Sequence, residues 1–176
     1  MERRCLPMNK ILVSACLLGE RVRYDGSDNL VDHWLLEEWK AQGRLVIFCP
    51  EVAGGLGTPR LPAEISDGGG VKVLTGKAKV YDNSASDVTD AFILGAQKAL
   101  SFAQQHQVKI AILKESSPSC GSSSIYDGSF SGLKIRGQGV TSALFDQHGI
   151  RVFSEQGILA AEQYLEMLEK TYPSNS

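Results

Sequence analysis

The stretch that decides the fold is Ile11-Leu12-Val13-Ser14-Ala15-Cys16, a short apolar run that ends in a cysteine. Two further apolar runs share this character. Cys49 directly follows Leu45-Val46-Ile47-Phe48, and Cys120 comes a few residues after Ile110-Ala111-Ile112-Leu113. If the three runs are parallel strands of one sheet, all three thiols reach its carboxyl edge, where open α/β sheets place their ligands. The sequence therefore predicts three cysteines converging at one edge.

Strand and helix patterns alternate along the chain, which predicts βαβ units, a parallel sheet and helices on both of its faces. The result is an α/β domain of three layers. The first helix is expected to open at Asp28 or Asn29, both good N-cap residues. The predicted strands are 10–15, 44–48, 108–113 and 150–153, with a further short strand at 71–74. The predicted helices are 28–42, 87–106, 140–148 and 156–170.

Length, composition and charge are those of one globular domain. The chain has 176 residues, of which 43% are hydrophobic and 22% charged, and this is enough to bury a core of its own. We expect the domain to span 9–172, after an N-terminal extension at 1–8 and before a flexible tail at 173–176. The net charge of −2 gives no reason to expect nonspecific nucleic-acid binding.

The sequence shows neither a membrane-spanning segment nor a signal peptide, and the expected compartment follows from this. No apolar run approaches the ~20 residues that cross a membrane, and no apolar signal-peptide segment follows Arg3 and Arg4. We therefore expect a cytoplasmic protein without a membrane partner. In that reducing compartment, cysteines are more often metal ligands, catalytic thiols or core residues than disulfides.

The three cysteines at the predicted edge form a donor set for a soft metal. Thiolates without histidine suit zinc or an iron–sulfur cluster. Structural zinc takes four protein ligands, so three thiolates favour a cluster that keeps one position open. Cys5 is the remaining candidate ligand, but it precedes the first strand, and ~35 Å of extended chain separates it from Cys16. Two other interpretations stay open: buried core cysteines, and a thiol nucleophile that lacks a histidine partner.

Two long loops, 50–70 and 115–139, follow strand ends and carry the remaining polar candidates. Connections between strand and helix usually span ~2–6 residues, so long loops indicate function. Glu51 follows Cys49 by two residues and suits a general acid or base, unless it is a solvated surface residue. Pro118 forces Ser117 into an extended conformation that is expected to aim its hydroxyl into the crevice. Weaker candidates are Glu64 and the pocket residues Tyr24, Asp25, Asn29, Lys114 and Ser119.

At these motifs the chain resembles the thiouracil desulfidase (TudS-like) family. The family's N-terminal signature is similar to Val13-Ser14-Ala15-Cys16-Leu17-Leu18-Gly19 followed by Val22-Arg23-Tyr24-Asp25-Gly26. Its second motif is similar to Phe48-Cys49-Pro50-Glu51-Val52-Ala53-Gly54-Gly55-Leu56 with Thr58-Pro59-Arg60. Its third is similar to Lys114-Glu115-Ser116-Ser117-Pro118-Ser119-Cys120-Gly121. The resemblance covers residues 9–155.

The resemblance implies a Rossmann-like fold and an oxygen-sensitive [4Fe-4S] cluster on three cysteines, which match Cys16, Cys49 and Cys120. It also implies a non-redox reaction. The thiocarbonyl sulfur of a thiolated pyrimidine binds the unliganded iron, water replaces the sulfur at carbon, and sulfide is released. The family's acidic and serine catalytic groups match Glu51 and Ser117.

An alternative is a metal- or cluster-bearing sensor or binding module without turnover. The expected partner is a small thiolated pyrimidine. The sequence does not separate a free base from a nucleoside or a base within tRNA, although nucleic acid is not the expected partner, and it does not set the oligomeric state.

Overall fold

The structure is a computed structural model that describes residues 8–171. The predicted tail at 173–176, the predicted extension at 1–8 with the exception of Met8, and Cys5 all lie outside the described residues. The strands are β1 (Ile11–Ser14), β2 (Leu45–Phe48), β3 (Ala63–Ile65), β4 (Val80–Asp82), β5 (Ile110–Leu113), β6 (Ser124–Tyr126), β7 (Lys134–Arg136) and β8 (Arg151–Ser154). The helices are α1 (Trp34–Ala41), α2 (Pro50–Ala53), α3 (Gly70–Leu74), α4 (Thr89–Gln105), α5 (Val140–Gln147) and α6 (Ile158–Thr171).

The main sheet has four parallel strands in the order β2-β1-β5-β8. In its register, Val13 lies opposite Ile47 on one side and Ile112 on the other. The four predicted strands of the parallel sheet are thus confirmed. Strand β1 pairs with β2 on one side and with β5 on the other. The strand order therefore reverses between β1 and β5, and a crevice is expected at the carboxyl ends of these two strands.

Helices cover both faces of this sheet, so the predicted three-layer α/β fold is confirmed. On one face, Ile11 and Val13 pack against residues of α1 and α6, including Trp39 and Leu165. On the other face, the alternate residue Leu12 packs in a cluster with residues of α4 and α5. The period-two alternation of a strand places neighbouring side chains on opposite faces, which is why one apolar run serves both layers.

A smaller layer lies beyond the carboxyl edge of the sheet. It contains α3 and two antiparallel pairs, β3–β4 and β6–β7, and its core joins Ile65, Val80 and Ile125 to the start of α4 at Phe92. Of these elements, β3, β6 and β7 lie within the two segments predicted as long loops. Among residues 8–171, no helix has the length and apolarity needed to span a membrane.

The first predicted helix began too early. Helix α1 starts at Trp34, and its N-cap is His33, whose Nδ1 accepts the Leu35 N–H at 3.2 Å. Residues 28–32 instead run beside the 3₁₀ turn that follows β1, where the Asn29 N–H donates to the Cys16 carbonyl at 2.9 Å. The Asp28 and Asn29 N-cap prediction was therefore wrong, because tertiary hydrogen bonds outweighed the helical spacing.

The short strand predicted at 71–74 was also wrong, since these residues belong to α3. Val73 is buried in the core of the smaller layer. Gly70 packs so tightly that a Cβ there would lie 2.3 Å from the Gly139 carbonyl oxygen. Packing in this layer outweighs the preference of Val71 and Val73 for strands, because the strand preference of a residue depends strongly on its context.

Candidate functional site

A cavity of about 610 Å³ opens at the carboxyl edge of the main sheet. Its volume lies within the ~300–1,000 Å³ typical of small-molecule sites. The edge of the sheet contributes Cys16, Cys49 and Cys120, and the smaller layer contributes Glu64, Tyr126 and Phe130. The three cysteines that are far apart in the chain therefore line one space, as the strand-end pattern predicted.

Each cysteine reaches the cavity from a different local structure. Cys16 sits in the 3₁₀ turn after β1, Cys49 directly precedes α2, and Cys120 lies in the loop after β5. All three thiols are free. Burial raises the pKa of each thiol, and the Glu51 carboxylate raises all three pKa values further. Binding of a metal would therefore release protons from these thiols.

The chemistry of the donor set suits an iron–sulfur cluster. Among residues 8–171, no three His, Cys, Asp or Glu side chains lie close enough together to hold one metal ion. Three soft thiolates around one cavity match the ligands that such clusters take.

Glu51 is held between two partners on opposite sides of its carboxylate. Arg60 donates to Oε2 from Nε at 2.9 Å and from Nη2 at 2.5 Å. The Ser117 hydroxyl donates to Oε1 at 3.2 Å. Both members of the Glu51–Arg60 ion pair are largely buried, with 15% and 11% of their side chains exposed. A buried carboxylate is stable only when charged and polar partners surround it, and Glu51 has both.

The comparisons with known proteins identify the family. The family model described as 2-thiouracil desulfurase matches residues 11–157. This chain belongs to the 2-thiouracil desulfurase family. The resemblance seen in the three motifs is thereby confirmed.

Relatives of the desulfurase family match over nearly their whole length. The uncharacterized protein YbbK of Bacillus subtilis (strain 168) is 50% identical over 147 residues, which are 82% of this chain and 95% of YbbK. A solved structure described as the [4Fe-4S]-dependent thiouracil desulfidase TudS superposes with a TM-score of 0.83. That structure is 45% identical in sequence, and the match covers 90% of this chain and 99% of TudS.

Most residues predicted for the site do line the cavity of this desulfurase-family chain. Besides the cysteines, Glu51 and Ser117, the cavity is lined by Tyr24, Asn29 and Lys114. The Asn29 side chain partly offsets the rise in the pKa of the Cys16 thiol that burial causes. Lys114 is paired with Glu155.

Two predicted substrate-binding residues lie elsewhere. The Ser119 hydroxyl is buried against the Thr141 hydroxyl at 2.9 Å and does not line the cavity. Asp25 is also outside the cavity lining, where it accepts hydrogen bonds from Ser27 in an exposed turn.

Sequence reasoning missed two residues of the site. Arg60 belongs to the second motif, but no role at the site was predicted for it, and it meets Glu51 only in the folded chain. Ser14 is buried next to the sheet edge, where its hydroxyl accepts the Lys114 N–H at 3.0 Å and donates to the Cys120 sulfur at 3.7 Å. One feature of the sequence could have indicated Ser14, namely its position at the end of the apolar run before Cys16. A hydroxyl at the end of a buried strand needs a hydrogen-bond partner.

The loop that carries Cys120 is organised by Glu115. Its Oε1 accepts the backbone N–H groups of Ser122 and Ser124 at 3.1 and 2.9 Å, and its Oε2 accepts the Ser122 hydroxyl at 2.6 Å. Burial alone would raise the pKa of Glu115, but these hydrogen bonds lower it to about 2. The carboxylate thus fixes the serine-rich turn around Cys120.

Proposed function

We propose that this protein is a [4Fe-4S]-dependent thiouracil desulfidase. It would convert the C=S group of a thiolated pyrimidine to C=O and release sulfide. The observation that carries the proposal is that three free thiols and the Glu51 carboxylate line one cavity. Membership of the desulfurase family and the similarity to TudS support the same reaction.

Cys16, Cys49 and Cys120 are the residues that would hold the cluster. With three protein ligands for four irons, a bound cluster would leave one iron open as a Lewis acid, which would polarise the C–S bond of the thiocarbonyl group. The protein side chains must then orient the ring and manage protons.

Glu51 is the general base of the proposed reaction. An ionised carboxylate oxygen can accept more than one hydrogen bond. Arg60 occupies Oε2, and Ser117 occupies one acceptor position of Oε1. The remaining position on Oε1 can accept a proton from water, while Arg60 and Ser117 keep the carboxylate oriented. General-base catalysis of this kind contributes ~10²–10⁴-fold to a rate.

The overall reaction needs no electron donor. Water adds its oxygen to the ring carbon, the C–S bond breaks, and the two protons of water end on sulfide or on solvent. Carbon keeps its oxidation state because oxygen replaces sulfur. A reaction without electron transfer agrees with a site in which Glu51 acts as a base and Arg60 and Ser117 orient it.

The remaining cavity residues suit a small, planar and polar substrate. Tyr24 offers an aromatic surface, and Asn29 and Lys114 offer hydrogen-bond donors beside the cysteines. A thiolated pyrimidine has ring N–H groups and carbonyl or thiocarbonyl acceptors that such groups can bind. We place this activity in the cytoplasm, where the cysteines stay reduced.

Anaerobic reconstitution with iron and sulfide tests the proposal. We expect a broad absorption band near ~400 nm from the iron–sulfur chromophore, and sulfide release from 2-thiouracil. Cys16→Ala, Cys49→Ala and Cys120→Ala should each lose the band, while Cys5→Ala should keep it. A bound cluster without sulfide release would instead support a sensor or binding module. Stoichiometric zinc without iron would refute the proposal.

A further inference from the structure

The β6–β7 hairpin ends in a loop, 127–133, that lines the cavity through Phe130. The loop is closed by a hydrogen bond of 3.0 Å from the Asp127 N–H to the Leu133 carbonyl. Inside it, the Asp127 carboxylate accepts the Ser129 N–H at 2.9 Å. These contacts give the loop a defined shape of its own.

Phe130 has an unusual backbone conformation for a bulky residue. Its φ is +57°, in the left-handed region that non-glycine residues rarely adopt. The residue is nevertheless 39% exposed, so core packing does not account for the conformation. Such a conformation persists where the surroundings impose it, and it is concentrated at ligand sites.

Glu64 holds the loop at Phe130 from β3. This β3 carboxylate is only 9% exposed, and its Oε2 accepts the Gly128 N–H at 2.9 Å and the Phe130 N–H at 3.1 Å. Gly128 lies so close to β3 that a Cβ would be 2.7 Å from the Ile65 carbonyl oxygen. A charge-assisted pair of hydrogen bonds thus fastens the hairpin loop to β3 beside the cavity.

We propose that the Phe130 ring stacks on the pyrimidine of the substrate and that Glu64 is the positioning residue that holds Phe130 there. This inference rests on the proposed function. An aromatic ring at a cavity wall offers a flat apolar surface to a planar base, and offset stacking is the favoured geometry. Such stacking tolerates changes in ring substituents, so it selects for a planar base and leaves the choice of thiolated position to other residues.

Equilibrium binding and steady-state kinetics on the reconstituted holoprotein test this assignment. Phe130→Ala should weaken binding of 2-thiouracil and of uracil, and raise KM, by about 10-fold or more. Its kcat and the cluster absorbance should stay at the wild-type level. Phe130→Tyr should restore affinity. Leu133→Ala is the matched control, because Leu133 is an exposed apolar residue of the same loop that does not line the cavity.

Glu64 is tested by its coupling to Phe130. Glu64→Ala should raise KM as Phe130→Ala does, and the double variant should bind no more weakly than Phe130→Ala alone. Additive effects would show that Glu64 does not act through Phe130. Unchanged affinity in Phe130→Ala would overturn the stacking assignment, as would a loss confined to kcat. A wild-type holoprotein that binds 2-thiouracil through Phe130 without releasing sulfide would refute the proposed function and leave this inference standing.

Discussion

The Ser117 hydroxyl connects Glu51 to the loop that carries Cys120. It donates to Glu51 Oε1 at 3.2 Å, and its oxygen accepts the backbone N–H groups of Ser119 and Cys120, each at 3.1 Å. A serine hydroxyl has one proton to donate. Because the contacts with the two N–H groups use its oxygen as an acceptor, this proton remains available for the hydrogen bond to Glu51. The orientation of the carboxylate and the position of a cysteine backbone therefore depend on the same side chain.

Replacing Glu51 with glutamine should separate catalysis from cluster binding. The amide cannot act as a base, so we expect kcat to fall by ~10²-fold or more. The band near ~400 nm should remain, because the three thiols that would hold the chromophore are untouched. Sulfide release and absorbance on the same sample measure both quantities. Glu37→Gln, an exposed glutamate of α1, is the control and should leave both unchanged.

Ser117→Ala should affect both the base and the turn. Removing the hydroxyl leaves Glu51 without one donor and two N–H groups without an acceptor, which costs about 1–3 kcal/mol of unfolding free energy. We expect slower sulfide release and less cluster per chain. Ser117→Thr keeps the hydroxyl and should recover much of both. Ser101→Ala, an exposed serine on α4, provides the comparison. Full activity in Ser117→Ala would contradict the orienting role of this hydroxyl.

Arg60→Lys should lower both stability and activity, although it keeps the positive charge. The guanidinium bonds the Glu51 carboxylate while it also donates to the carbonyls of Val22 and Gly57, at 3.0 and 3.1 Å. A lysine ammonium cannot reproduce this planar set of donors. We expect the free energy of unfolding to fall by about 1–2 kcal/mol, together with a reduced kcat. Arg21→Lys, at an exposed position, should change neither in parallel denaturation and kinetic measurements.

Most of the sheet could be predicted from the sequence, whereas the smaller layer could not. Each central strand has a continuous apolar run because it is buried on both faces, and that signal is local. Residues 70–74 have no comparable signal, since the choice of helix depends on the approach of Gly70 to Gly139. The start of α1 depends likewise on the bond from Asn29 to the Cys16 carbonyl.

The candidate site shows the same division. The cysteines and Glu51 stand next to strand ends, so topology alone brings them together. Arg60 meets Glu51 because the chain turns back after α2, and Phe130 meets the cavity because Glu64 holds its loop. Ser119 was predicted in the cavity from its neighbours in sequence, but its hydroxyl bonds Thr141 instead. Contacts between separate loops leave no pattern in the local sequence from which they could be predicted.

Glu115 should make stability depend on acid pH. Its pKa is about 2 in the folded protein against an ordinary 4.5, so the unfolded chain binds more protons between these values. Stability is therefore complete above about pH 4.5 and falls as the pH drops toward 2. The shift corresponds to ~3 kcal/mol at most, and solvent around the partly exposed carboxylate reduces this to about 1–2 kcal/mol.

Chemical denaturation of the cluster-free protein measures this contribution. Glu115→Gln should be less stable than wild type at pH 7, and the difference should shrink toward pH 2. The control Glu37→Gln should follow the wild-type curve throughout. A constant gap between Glu115→Gln and wild type at every pH would mean that the carboxylate charge is not the source of the stability.

Gly95→Ala should displace the helix that carries the base. Helices α2 and α4 touch through glycines: a Cβ on Gly95 would lie 2.1 Å from the Pro50 carbonyl oxygen, and one on Gly54 would lie 2.1 Å from the Ala91 carbonyl oxygen. Both clashes are with backbone, so α2 must move. Pro50 stands between Cys49 and Glu51, and the shift therefore reaches a thiol and the base together.

The stability effect of Gly95→Ala has two opposing parts. Alanine favours the helix by ~1 kcal/mol relative to glycine, while forcing atoms into a packed contact costs about 1–3 kcal/mol. Because the contact is with a carbonyl that cannot rotate away, we expect a net loss of stability, with less cluster bound and slower sulfide release. Gln97→Ala, on the exposed face of α4, should be neutral in all three measurements. Retained cluster and activity in Gly95→Ala would show that α2 need not be held this closely for the site to work.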